Sequence, residues 1–90
     1  MVYSFMTLND NTEIVHSEMQ PDGRVKVYME TPDEKLCFKH ATCWLPEYEW
    51  EDVYGYSETE MEFFKKLMES NAHLIIDFSK NGGFLNASGL

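Results

Sequence analysis

Basic side chains are scarce in this sequence: seven lysines and arginines stand against 16 aspartates and glutamates, for a formal net charge of -9. Neutralising a phosphate backbone takes clustered Lys and Arg, and here Arg24, Lys26, Lys35, Lys39, Lys65, Lys66 and Lys80 are scattered. Nucleic acids and anionic membrane surfaces are therefore excluded as expected partners. The acidity serves solubility through self-repulsion, and it favours a basic protein over any anionic ligand. Long apolar runs are missing as well, none approaching the ~20 residues that cross a bilayer. The N-terminus has neither the basic region nor the apolar stretch of a signal peptide, so the expected address is the cytoplasm.

Cysteine is sparse too. Cys37 and Cys43 fall on one expected strand, where a rise of ~3.3 Å per residue sets them about 20 Å apart, beyond disulfide reach. Both are expected as reduced thiols. Cys37-x-x-His40-x-x-Cys43 offers three metal-ligand types, with His16 as a conceivable fourth. On a strand, however, His40 points away from both cysteines, and the cysteines cannot share one ion at bond lengths of ~2.1 to 2.3 Å. There is no glycine-rich phosphate loop, nucleophile elbow or metalloprotease helix motif. Gly82-Gly83 follows an expected helix instead of opening one, which makes it a stop signal. No metal, cofactor or catalytic residue is expected, and His16, His40 and His73 are read as structural hydrogen-bonders.

What is present is enough to fold. With 43% hydrophobic and 14% aromatic residues, the chain has material for a packed interior. At 90 residues it forms one domain that buries only about 60 to 65% of its unfolded surface. The first half reads as strands over residues 2–8, 12–19, 24–30 and 35–45, with turns at Asn9-Asp10-Asn11, Pro21-Asp22-Gly23 and residues 31–34. Alternation is cleanest in the third, where Val25, Val27 and Met29 share one face while Lys26, Tyr28 and Glu30 share the other. In the fourth, Leu36, Phe38, His40, Thr42 and Trp44 oppose Cys37, Lys39, Ala41, Cys43 and Leu45, and the pattern leaves open which set faces the helices. Pro46 ends that strand, and residues 47–56 are a short edge strand or an ordered loop.

Ser57-Glu58-Thr59-Glu60 is a capping box, the strongest local signal in the chain. Met61, Phe64, Leu67 and Met68 follow at helical spacing and form a stripe for the sheet. Ser70-Asn71 favours a cap, which divides the segment into two helices. The second carries Leu74, Ile75, Ile76 and Phe78, apolar on more than one side, and ends at Asn81-Gly82-Gly83. A short tail, 84–90, completes the chain. The expected fold is therefore α+β: an antiparallel sheet of four or five strands over about 2–56, then two helices over about 58–80 packed on one face.

The layout of strands, an aromatic segment after Leu45-Pro46 and helices ending at Asn81-Gly82-Gly83 resembles small bacterial domains sometimes associated with toxin-antitoxin operons. Those domains typically carry a Pro-His-aromatic-His strand motif, whereas here only His16 stands on a comparable strand. The resemblance implies a fold type and a regulatory setting, and no catalytic residue.

The most distinctive stretch is 44–64, where aromatic and acidic residues interleave without a single Lys or Arg. Tyr48, Trp50 and Tyr54 are candidate anchors for a partner, and Glu49, Glu51 and Asp52 a rim that attracts Lys or Arg. The sequence thus points to a non-catalytic interaction module that binds a basic protein or a second copy of itself. The alternative is a small enzyme or ligand-binding protein with a pocket built from His16, His40 and Cys43.

Overall fold

The computed structural model describes residues 2–80. Five strands come first, β1 (Val2–Thr7), β2 (Glu13–Ser17), β3 (Val25–Asp33), β4 (Cys37–Leu45) and β5 (Glu49–Tyr54), followed by one helix, α1 (Glu58–Lys80). The strands pair antiparallel in chain order, so every connection is a local turn. Turn chemistry accounts for this. Between β1 and β2, Asn11 takes φ 66° and the Asp10 carboxylate accepts the Thr12 backbone N–H at 3.1 Å. Between β2 and β3, Gly23 takes φ 84° and donates to the Gln20 carbonyl at 2.9 Å.

The third turn falls later than the expected 31–34. Thr31 is buried and bonds the Thr12 hydroxyl at 2.6 Å and the Tyr56 hydroxyl at 2.8 Å, which holds it inside the sheet. Pro32 is tolerated because pairing with β2 ends at Glu30, leaving β3 an edge at that point. The chain reverses only after Asp33, whose Oδ2 accepts from the backbone N–H groups of Lys35 and Leu36 at 3.0 and 2.9 Å. Residues 49–54, left open as strand or loop, form the edge strand β5.

Alternation decides which face is covered. Ile14, Val25, Val27, Met29, Ala41, Cys43 and Leu45 are fully buried and face α1. In β4 it is therefore the smaller set that turns toward the helix. His40, Thr42 and Trp44 turn away, onto a sheet face that no described element covers. The His40 and Trp44 rings therefore stand on the uncovered side.

One continuous helix replaces the two expected. Phe64, Met68, Ala72, Ile75 and Ser79 are its buried residues, a stripe at spacings of three and four that runs unbroken past Ser70-Asn71. Asn71 does not cap a new helix; its side-chain amide donates to the Leu67 carbonyl at 2.9 Å, bonding back within the helix. Packing of the whole stripe on the sheet outweighs the local capping preference of two residues. Leu74 is 39% exposed, so the second half is apolar on more than one side without being buried on all of them. The expected stop at Asn81-Gly82-Gly83 and the tail 84–90 lie outside the described residues.

Both helix ends are tied down. At the start, the Ser57 hydroxyl accepts the Glu60 N–H at 3.2 Å and the Glu60 carboxylate accepts the Ser57 N–H at 2.9 Å, completing the capping box. The other Glu60 oxygen receives Lys39 Nζ from β4 at 2.6 Å. Near the end, the Met19 N–H donates to the Ser79 carbonyl at 3.3 Å, and Phe78 meets the ring of Phe5 at 6.1 Å. No helix among the described residues is long and apolar enough to cross a membrane.

Candidate functional site: the uncovered face of the sheet

Three rings line up across the open face, one from each of β3, β4 and β5. His40 stacks on Tyr54 with centroids 5.3 Å apart and planes 23° from parallel, and on Tyr28 at 6.3 Å and 25°. Register produces the row: His40 lies directly opposite Tyr54 and opposite Glu30, next to Tyr28 along β3. The Tyr28 hydroxyl donates to Glu30 at 2.8 Å. Partial burial first, and the Glu30 carboxylate second, push the Tyr28 phenol up to about 12, so it stays a neutral donor. Tyr54 is 47% exposed, leaving the β5 end of the row open to solvent.

A second cluster lies beside the row, toward the β4–β5 turn. Trp44 Nε1 donates to Glu51 at 2.7 Å, and the Arg24 guanidinium sits 4.6 Å above the indole ring. Arg24 also pairs with Glu47 at 3.1 Å and Glu49 at 3.4 Å, and Lys26 Nζ lies 5.9 Å from the same ring. This surface already holds a guanidinium against an aromatic face and carboxylates, the contact set that recognises basic side chains.

The six residues singled out in the sequence do not form one patch. Tyr48 stands in the β4–β5 turn at φ 59°, 40% exposed. Trp50 lies opposite the buried Cys43 and packs against the core on the helix side. Glu49 and Glu51 lie opposite Trp44 and Thr42, on the uncovered face, as does Tyr54. Asp52 takes φ 53° within the register shift of β5. That bulge separates Trp50 from Tyr54: without it, residues 50, 52 and 54 share a face. Tyr28 and Trp44 were not among the candidate partner-binding residues, and His40 was placed only in the alternative pocket. Tyr28 belongs to the polar face of the third strand, and His40 and Trp44 to the bulky alternating set of the fourth, whose direction the sequence left open.

The pocket of the alternative reading is not assembled. Cys43 and His16 face the helix, and His40 faces the other way. Burial pushes the Cys43 thiol up to about 12, far from a reactive thiolate. His16 is 1% exposed; its Nδ1 donates to the Ser17 carbonyl at 2.8 Å and lies 3.0 Å from the Ser79 hydroxyl. Because a carbonyl only accepts, Nδ1 carries the proton and the buried Nε2 is left without a partner. Among the described residues no group of His, Cys, Asp and Glu is arranged to hold a metal ion. Comparison with known proteins finds no matching family model, no matching curated relative and no matching solved structure.

Proposed function

We propose that this chain is a non-catalytic interaction module that binds a basic protein segment across the uncovered face of its sheet. The observation that carries the reading is the Tyr28–His40–Tyr54 row, stacked on a face that no described element covers, with Glu30, Glu49 and Glu51 on the same face. Aromatic rings supply contact area at low entropic cost, and the carboxylates around them select Lys or Arg. The Arg24 contact with Trp44, Glu47 and Glu49 supports that preference from inside the molecule. A net charge of -9 steers a cationic partner toward the domain. Of the residues singled out in the sequence, Tyr54, Glu49 and Glu51 belong to this surface; Tyr48 and Asp52 lie at its margin, and Trp50 serves the core.

The test is fluorescence anisotropy of a labelled arginine-glycine decapeptide titrated with the protein at low and high salt. Binding is expected at low salt, weakening steeply as salt is added. It should fall about tenfold in a Tyr54→Ala, Glu51→Gln variant, because the loss of ring contact and charge together approaches 1.4 kcal/mol. A Glu62→Gln, Glu69→Gln variant removes charge from the exposed helix surface and should bind like wild type. Equal weakening in both variants would mean undirected attraction to an acidic protein and would overturn the reading.

A further inference from the structure

The two borders of the sheet differ sharply, and the difference identifies a second interaction surface. Among the described residues, β5 forms one border and β1 the other. β5 carries Glu49, Glu51 and Asp52, and its register is broken at the positive-φ Asp52. Acidic side chains and a bulge are the devices by which proteins keep other strands from pairing with an edge. β1 reads VYSFMT, without a charge or a proline. Its own register shift, between Ser4 and Met6, leaves the run from Val2 to Ser4 regular.

The surface next to β1 is apolar as well. Val2 is 65% exposed and borders an open groove of about 260 Å³ shared with Val15, Ser17, Lys26 and Tyr28. Val2 and Val15 leave apolar area in water on a chain that is otherwise strongly acidic. Two molecules of net charge -9 repel wherever their carboxylates meet, so they approach most readily along a border that carries none.

We infer that two copies of this chain join through their β1 strands, antiparallel across a two-fold axis near Ser4, into one continuous sheet. Such a contact is isologous: the same six-residue strand supplies both halves, and its outward N–H and C=O groups satisfy one another. The two Val2 side chains and their grooves come to the seam and lose water. The dimer leaves β5 and the His40–Tyr54 end of the row free, while the groove that Tyr28 helps to line turns toward the seam; the proposal does not depend on the function assigned to the row.

Salt separates the two. Screening weakens the capture of a basic peptide but relieves repulsion between two acidic copies, so dimerisation should tighten as salt is raised. The experiment is sedimentation velocity of the full chain over a concentration series at low and high salt. The doubled mass is expected, reached at lower protein concentration in high salt. A Val2→Lys, Ser4→Lys variant sets like charges across the two-fold and should sediment as monomer while its circular dichroism stays that of wild type. As a readout that needs no variant, hydrogen exchange of the β1 amides should slow as protein concentration rises. A wild type that stays monomeric at all concentrations, or a dimer that survives in the lysine variant and is lost in Glu51→Lys, would overturn the proposal.

Discussion

Trp50 and Tyr54 show how much a single side chain's direction decides here. Trp50 packs against the buried core opposite Cys43, whereas Tyr54 is 47% exposed against His40. Trp50→Ala should therefore cost about 2–4 kcal/mol of stability through the cavity it leaves. Tyr54→Ala should stay within about 1 kcal/mol of wild type. Urea unfolding of the two variants checks both values. Similar losses in the two would mean that the faces assigned to them are wrong. Both residues were read from the sequence as candidate anchors in an acidic stretch, and the sequence did not separate one from the other. Their separation depends on one backbone angle, φ 53° at Asp52, which a period-two pattern does not register.

At the scale of elements, the bulge and the helix make opposite points about local signals. A positive φ suits Gly and is tolerated by Asp, whereas a β-branched residue is strained there. Asp52→Gly should leave thermal stability nearly unchanged, while Asp52→Val should cost about 1–3 kcal/mol and loosen the Tyr54–His40 contact. The ring resonances of Tyr54 report that loosening directly. In α1, the capping box was legible because Ser57 and Glu60 satisfy each other within one turn. Continuity through Ser70-Asn71 was not, since it comes from a stripe that finds its partners on the distant sheet. Ser70 is exposed in mid-helix, so Ser70→Ala should raise stability by about 0.5 kcal/mol through helix propensity alone. A loss on that substitution would instead point to a cap and to two helices.

For the whole molecule, charge makes stability depend on pH. Hydrogen bonding from Lys39, then from the Ser57 backbone, holds the Glu60 carboxyl below its ordinary range, and the Thr12 hydroxyl does the same for Asp10. Carboxylates that are more acidic in the folded state contribute stability above their unfolded pKa. That contribution is lost as pH falls from the ordinary carboxylate range through the depressed folded values. The urea midpoint of wild type should fall over that window, and a Glu60→Gln, Asp10→Asn variant, already less stable at neutral pH, should fall less. A variant with the full acid-induced drop would show that these two pairs are not its source. The α+β order was legible from turns and alternation, because meander connections are local. The uncovered face was not, because nothing in the alternation says how many faces a single helix covers. The most direct test of the binding face is a two-dimensional amide NMR titration with the arginine-glycine peptide. Shifts should concentrate on Tyr28, His40, Trp44, Glu51 and Tyr54 and spare the exposed side of α1. Shifts spread evenly over the acidic surface, or centred on the helix, would contradict it.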